Sequence, residues 1–167
     1  NAARPSAGGG NNFQDILDAL EAVNEQKKLQ GKKLPLTASL TTISQANVHR
    51  LVDIYWHFKD KVDLFVFYLS WWIDEKSADA HEQDFQSRFG FAPKLHRGWV
   101  GDWTIKEHAL LDSQLKEVLR RSKGWNSPAV NIIPNITGVD NLREYYTDHS
   151  ATYGYNQCIS IYQAVEI

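Results

Sequence analysis

The chain has 167 residues, of which 43% are hydrophobic and 23% charged, and its formal net charge is −2. That length suffices for one domain burying roughly 70% of its unfolded surface, and the composition excludes a disordered chain. A nucleic-acid binder would need a clear basic excess, which is missing, and a lone cysteine excludes an internal disulfide framework and suits a reducing, cytoplasmic setting.

Residues 1–12 are small, polar and glycine-rich, and read as a loop in which Asn12 caps the next helix. Phe13, Ile16, Leu17, Leu20 and Val23 recur at helical spacing, which predicts a helix over about 13–29 ending near Gly31. Leu34 to Thr42 (LPLTASLTT) reads as a strand, with Pro35 near its start, where proline is tolerated. Ser44 or Gln45 opens a second helix that carries Val48, Leu51, Val52, Tyr55 and Phe58 on one face. Val62 to Trp71 (VDLFVFYLSW) is a nearly continuous apolar strand, a pattern expected when both faces of a parallel sheet are covered.

Residues 74–90 read as a polar helix and 91–103 (FAPKLHRGWVGDW) as a loop. Thr104, with Glu107 three residues on, forms a capping box for a helix reaching about Ser122. A third strand, Ala129 to Pro134, precedes a short helix near 138–149 and an irregular aromatic tail. The lysine and arginine pairs at 27–28, 32–33 and 120–121 fall where helices end, which favours solvation of helix ends over a nucleic-acid surface. The longest apolar run, Val62 to Ile73, is twelve residues and falls short of the ~20 needed to span a bilayer, and no signal-peptide pattern opens the chain.

Strands alternating with helices imply an α/β fold with a parallel sheet and right-handed crossovers. Three strands preceded by a helix make an incomplete sheet, so the expectation is that further chain lies upstream.

Three stretches carry a resemblance to a known family. They are NAARPSAGGGNNF (1–13), LTTISQANVHRLVDIYWHF (40–58) and the tail GYNQCISIYQAVEI (154–167) with Cys158. Together they resemble the later part of radical S-adenosylmethionine (SAM) enzymes with a C-terminal SPASM-type iron–sulfur extension. The resemblance rests on order and spacing across most of the chain. It implies a partial parallel (β/α) barrel of about three strands with flanking helices over residues 1–150, and the start of the extension over 151–167. It implies S-adenosylmethionine and 4Fe–4S clusters as cofactors of the parent enzyme, 5′-deoxyadenosyl-radical chemistry, and possible peptide or protein substrates. The family signature CxxxCxxC is absent, and one cysteine cannot supply the three thiolates such a cluster requires. The chain alone is therefore expected to be inactive.

By the same resemblance, Arg4 matches an arginine near the SAM carboxylate, where a bidentate pair is a strong contact; the plainer alternative is a solvated loop arginine. Thr41, Thr42 and Asn47 fall at the carboxyl end of a strand, the edge where α/β sheets bind ligands, although turn and cap chemistry uses the same residue types. Ser70 and Trp71 end the second strand on that edge. Cys158 would be an auxiliary-cluster ligand, or else a partly buried thiol. Trp99 and Trp103 flank Gly101-Asp102 and either close a pocket mouth or pack the core rim.

His49, Asp53 and His57 share a helix face, and His81-Glu82, His96, Asp102 and His108 are scattered, with no HExxH or His-x-His spacing to suggest zinc. No GxSxG elbow, GxxxxGK[ST] loop or GxGxxG turn is present. A second reading takes the chain as a non-catalytic α/β binding or scaffold protein, its open strand edge paired by a dimer partner or by the rest of a parent chain.

Overall fold

Three β-branched and aromatic segments form one sheet, and the buried residues of the helices that pack on it meet a single side. The computed structural model describes residues 12–101, 103–148 and 151. The elements run α1 (Asn12–Leu29), β1 (Ala38–Ile43), a 3-10 turn (Val48–Arg50) leading into α2 (Leu51–Phe58), then β2 (Leu64–Leu69) and α3 (Glu75–Phe89). A second 3-10 turn (Leu95–Trp99), α4 (Ile105–Arg121), β3 (Ala129–Ile133) and α5 (Val139–Tyr145) complete them.

The sheet is parallel throughout and its spatial order is its sequence order, β1-β2-β3. Leu40 pairs with Val66, and Val66 with Asn131; Thr42 pairs with Tyr68, and Tyr68 with Ile133. Side chains alternate across a strand, so this register divides the sheet into two faces. Ile43, Phe65, Phe67, Leu69 and Ile132 share one face and join Val48, Leu51, Tyr55, Leu111, Leu115, Val118 and Leu142 from the helices in the buried core. The Tyr55 and Phe65 rings lie 5.2 Å apart across this layer.

The opposite face carries Ala38, Leu40, Thr42, Ala129, Asn131 and Ile133, all exposed. Leu40 is 68% exposed. The expectation that β2 is covered by helices on both sides is therefore corrected. Val66 is buried on the open side, but it lies between Leu40 and Asn131 of the flanking strands. Its neighbours shelter it without a second helix layer.

The helix periodicities account for the covered face. In α4, His108, Leu111, Leu115 and Val118 fall three or four residues apart on one stripe and are all buried. Burying each of the aliphatic side chains contributes about 1.5–3 kcal/mol. The predicted capping box holds: Glu107 N donates to Thr104 Oγ1 at 3.3 Å and Thr104 N donates to Glu107 Oε2 at 2.7 Å. Those bonds keep the Glu107 carboxyl below its usual range.

α3 is capped by Asp74, which accepts from Ser77 N, and ends at Gly90 with φ of 75°, a left-handed conformation that favours glycine. α5 is tied to α4 through Asp112, whose Oδ1 accepts from Gly138 N at 2.7 Å while its Oδ2 accepts from Lys116 Nζ at 2.6 Å. Asp112 is only 6% exposed, and these two donors satisfy the buried carboxylate. Among the described residues no helix is long and apolar enough to cross a membrane.

Candidate functional site

The carboxyl edge of a parallel sheet is where loops and helix starts converge on a ligand. At that edge β1 ends in Thr42-Ile43 and runs into the turn Ser44 to Asn47, while β2 ends at Leu69 and hands on to Ser70-Trp71-Trp72. The loop before α4 folds back over this end. Ile73 and Val100 form a short parallel bridge, with Ile73 N donating to Trp99 O at 2.9 Å and Gly101 N donating to Ile73 O at 3.1 Å. A cleft of about 270 Å³ lies between, lined by Thr42, Ser44, Gln45, Ser70, four tryptophans (71, 72, 99 and 103), Gly98, Val100 and Gly101.

Close approach at Gly101 sets the cleft wall. A Cβ there would sit 3.1 Å from Trp72 Cβ, tighter than most real contacts, so the bare glycine lets the loop lie against the indole. Trp72 is fixed from behind, its Nε1 donating to Tyr145 O at 2.6 Å. Trp103 is fixed by stacking on Tyr146, with ring centroids 4.6 Å apart and planes at 14°. Trp71 and Trp99, by contrast, are 78% and 52% exposed at the rim.

Beneath the cleft, Ser70 Oγ and Tyr146 OH lie 3.4 Å apart, and burial pushes the Tyr146 phenol well above its ordinary range. His108 stacks near-parallel on both Trp103 and Tyr146, at 6.2 and 5.9 Å. It is 2% exposed, and neither ring nitrogen has a hydrogen-bond partner among the described residues. Desolvation holds its pKa below the ordinary value.

The loop is clamped from its other side by Arg97. Its guanidinium bonds Glu82 at 2.6 Å, Glu75 at 2.7 Å and Asp79 at 2.5 Å, all from α3. Glu82 and Asp79 raise the Arg97 pKa, and the guanidinium in turn lowers that of Glu82. His81 and His96 lie ring against ring beside this cluster at 4.6 Å, and His96 Nε2 is within hydrogen-bond distance of Ala78 O.

The cleft brings together only part of the expected residue set. Thr42 and Ser70 line it. Asn47 serves the turn instead: its Oδ1 accepts from Ser44 N and its Nδ2 donates to Thr42 O, both at 2.9 Å. Thr41 alternates onto the helix-covered face, with its hydroxyl 3.4 Å from that of Ser39. Arg4 and Cys158 lie outside the described residues.

Sequence reasoning does not assign His108, Tyr146 or Arg97 to this edge. For Arg97 a signal is present, since Glu75, Asp79 and Glu82 repeat at i, i+4 and i+7 on one face of a predicted helix. For the Trp103–Tyr146–His108 stack no local signal exists, because Tyr146 comes from a segment far along the chain from the other two.

A larger cleft of about 680 Å³ opens at the opposite edge of the sheet, with Lys27, Lys28, Lys32, Lys33, Lys59 and Lys61 around it. Lys27 pairs with Asp63 and Lys59 with Asp60, while Lys61 Nζ donates to His57 O. Two of these contacts are ion pairs and the third places Lys61 at the carboxyl end of α2, and we assign the candidate site to the other edge.

The residues present do not fit an iron–sulfur cluster. The chain has one cysteine, and among the described residues no three His, Cys, Asp or Glu side chains converge to hold a metal. No family model, no curated protein and no solved structure matches this chain.

Proposed function

We propose that this chain is the later half of the (β/α) barrel of a cytoplasmic radical SAM enzyme, running over 1–150, followed by the start of a SPASM-type extension over 151–167. One observation carries the reading: the parallel sheet runs in sequence order with all its core-forming helices on one face and the other face open. A doubly wound sheet reverses strand order and covers both faces. In a barrel the helices form an outer ring, and the remaining face becomes a packed interior arranged in layers. The registered rows Ala38–Leu64–Ala129, Leu40–Val66–Asn131 and Thr42–Tyr68–Ile133 lie on that open face and would supply interior residues.

In this reading the chain supplies barrel wall and part of the SAM-binding edge through Thr42 and Ser70, with Thr41 and Asn47 behind it, and Arg4 would contact the SAM carboxylate. Cys158 would be one auxiliary-cluster ligand. S-adenosylmethionine and the 4Fe–4S clusters belong to the parent enzyme, whose substrate would be a peptide or protein. The chain alone is not catalytic, because the thiolates for the radical-generating cluster are not among its residues.

The test is the mass of the native polypeptide in its source cells, read with antibody to this chain. A band well above 19.1 kDa, with peptide sequencing that recovers CxxxCxxC, supports the reading. A band at 19.1 kDa refutes it and leaves the non-catalytic α/β scaffold, its open edge paired by a partner.

A further inference from the structure

We propose that the tryptophan-lined cleft between the ends of β1 and β2 seats a single aromatic side chain of a peptide, an inference that rests on the peptide-modifying reading above. Four features of the cleft select this ligand.

The first is charge. None of the described residues lining the cleft is ionised, so a carboxylate or phosphate entering it would lose water without gaining a partner. The second is size. A cleft of about 270 Å³ lies just below the usual range of ligand pockets, about 300–1,000 Å³. It admits one ring and leaves the rest of a larger molecule outside.

The third is the kind of surface. Trp72 and Trp103 are held rigidly by Tyr145 and Tyr146, while Trp71 and Trp99 stand exposed at the rim. Aromatic rings placed around a small void favour another ring in an offset or edge contact. Because the Trp72 and Trp103 indoles are already held, little of their side-chain entropy is lost when a ring enters.

The fourth is the shortage of free polar groups. The Gln45 side chain is hydrogen-bonded to Glu107 and the Ser70 hydroxyl sits against Tyr146 OH. A sugar needs a partner for each of its hydroxyls and would be poorly served. A tyrosine ring needs one, at its phenol, and Thr42 and Ser44 stand at the cleft to provide it. The peptide main chain would then cross the open mouth past Trp71 and Trp99.

The test is a 19F NMR titration of the 167-residue chain labelled with 5-fluorotryptophan, its six lines assigned by single Trp→Phe variants. The probes are N-acetyl-tyrosine amide, N-acetyl-leucine amide and methyl glucoside. The expected result is saturable shifts of the Trp71 and Trp99 lines with the tyrosine amide alone, and none at Trp56 or Trp125. Trp99→Ala, at an exposed position, should retain the far-ultraviolet dichroism of the native chain and bind about fivefold more weakly.

Absence of saturable shifts overturns the proposal, as do equal shifts with the leucine amide or glucoside, or shifts spread evenly over all six lines. This outcome is independent of the polypeptide mass. A native band at 19.1 kDa with tyrosine-selective shifts removes the enzyme reading and keeps the aromatic site, whereas a heavier band with no shifts does the reverse.

Discussion

Replacing His108 by phenylalanine should stabilise the protein, against the usual direction for a core substitution. The imidazole is 2% exposed, and among the described residues neither nitrogen has a partner. A neutral imidazole carries one donor and one acceptor. Burying such groups unpaired costs about 1–3 kcal/mol. The rings around it, Trp103 at an interplanar angle of 2° and Tyr146 at 15°, offer flat surfaces that a phenyl ring can occupy in the same way.

His108→Phe should therefore gain about 1–2 kcal/mol at pH 7.5, a rise in Tm of about 2–8 °C for a domain of this size. The difference should widen in mild acid. Burial lowers the folded-state pKa of His108 below its ordinary value of 6.5, assisted by Arg143 of α5 and opposed by Glu107 of α4. Below pH 6.5 the unfolded chain therefore binds a proton that the folded chain resists, and stability falls as pH drops through that value. The phenylalanine variant lacks this loss. Urea unfolding at pH 7.5 and 5.5 measures both effects. A variant destabilised by more than about 1 kcal/mol at pH 7.5, or with unchanged pH dependence, would refute the argument.

Other positions give outcomes of more ordinary sign. Leu115→Ala empties a fully buried site on α4 and should cost about 2–5 kcal/mol in the same unfolding assay. Arg97→Ala strands three α3 carboxylates and frees the loop they hold, so amide exchange over residues 95–101 should accelerate while that of β2 stays slow. Hydrogen bonds from Arg120 and Arg121 depress Glu117 to a pKa of about 2 from 4.5. Its contribution to stability is present above pH 4.5 and is lost as pH falls toward about 2; Glu117→Gln should flatten that part of the stability profile.

The sequence made the elements legible where hydrophobic spacing is strong and local. The helix faces and the Thr104 capping box arise from contacts within a few residues, and the three strands show as short apolar runs although their pairing is long-range. Where the structure departs from the sequence reading, the physical cause differs from place to place. Leu34 and Pro35 continue the apolar pattern of β1, but they are exposed and the strand pairs only from Ala38. The second helix starts later than its Ser44 cap suggests, because Asn47 ties the segment into a turn. Composition could not separate a β2 buried by helices on both faces from one sheltered by flanking strands. At the site, the strand ends marked Thr42 and Ser70. The aromatic stack beneath them depends on pairings between positions more than thirty residues apart, such as His108 with Tyr146, which spacing alone does not encode.

The sequential strand order also governs how the chain assembles as it is synthesised. β2 can pair with β1 as soon as both have emerged, because only the turn and α2 intervene. The second edge of β2 must wait for β3, which begins at residue 129 after β2 ends at 69. At about 5–20 residues per second, that edge stays unpaired on the ribosome for several seconds. Phe65, Phe67 and Leu69, the most apolar stretch of the core, are meanwhile without Leu111, Leu115 and Val118 of α4, which belong to the same buried cluster. A chaperone that acts on this nascent chain would find its target in that interval.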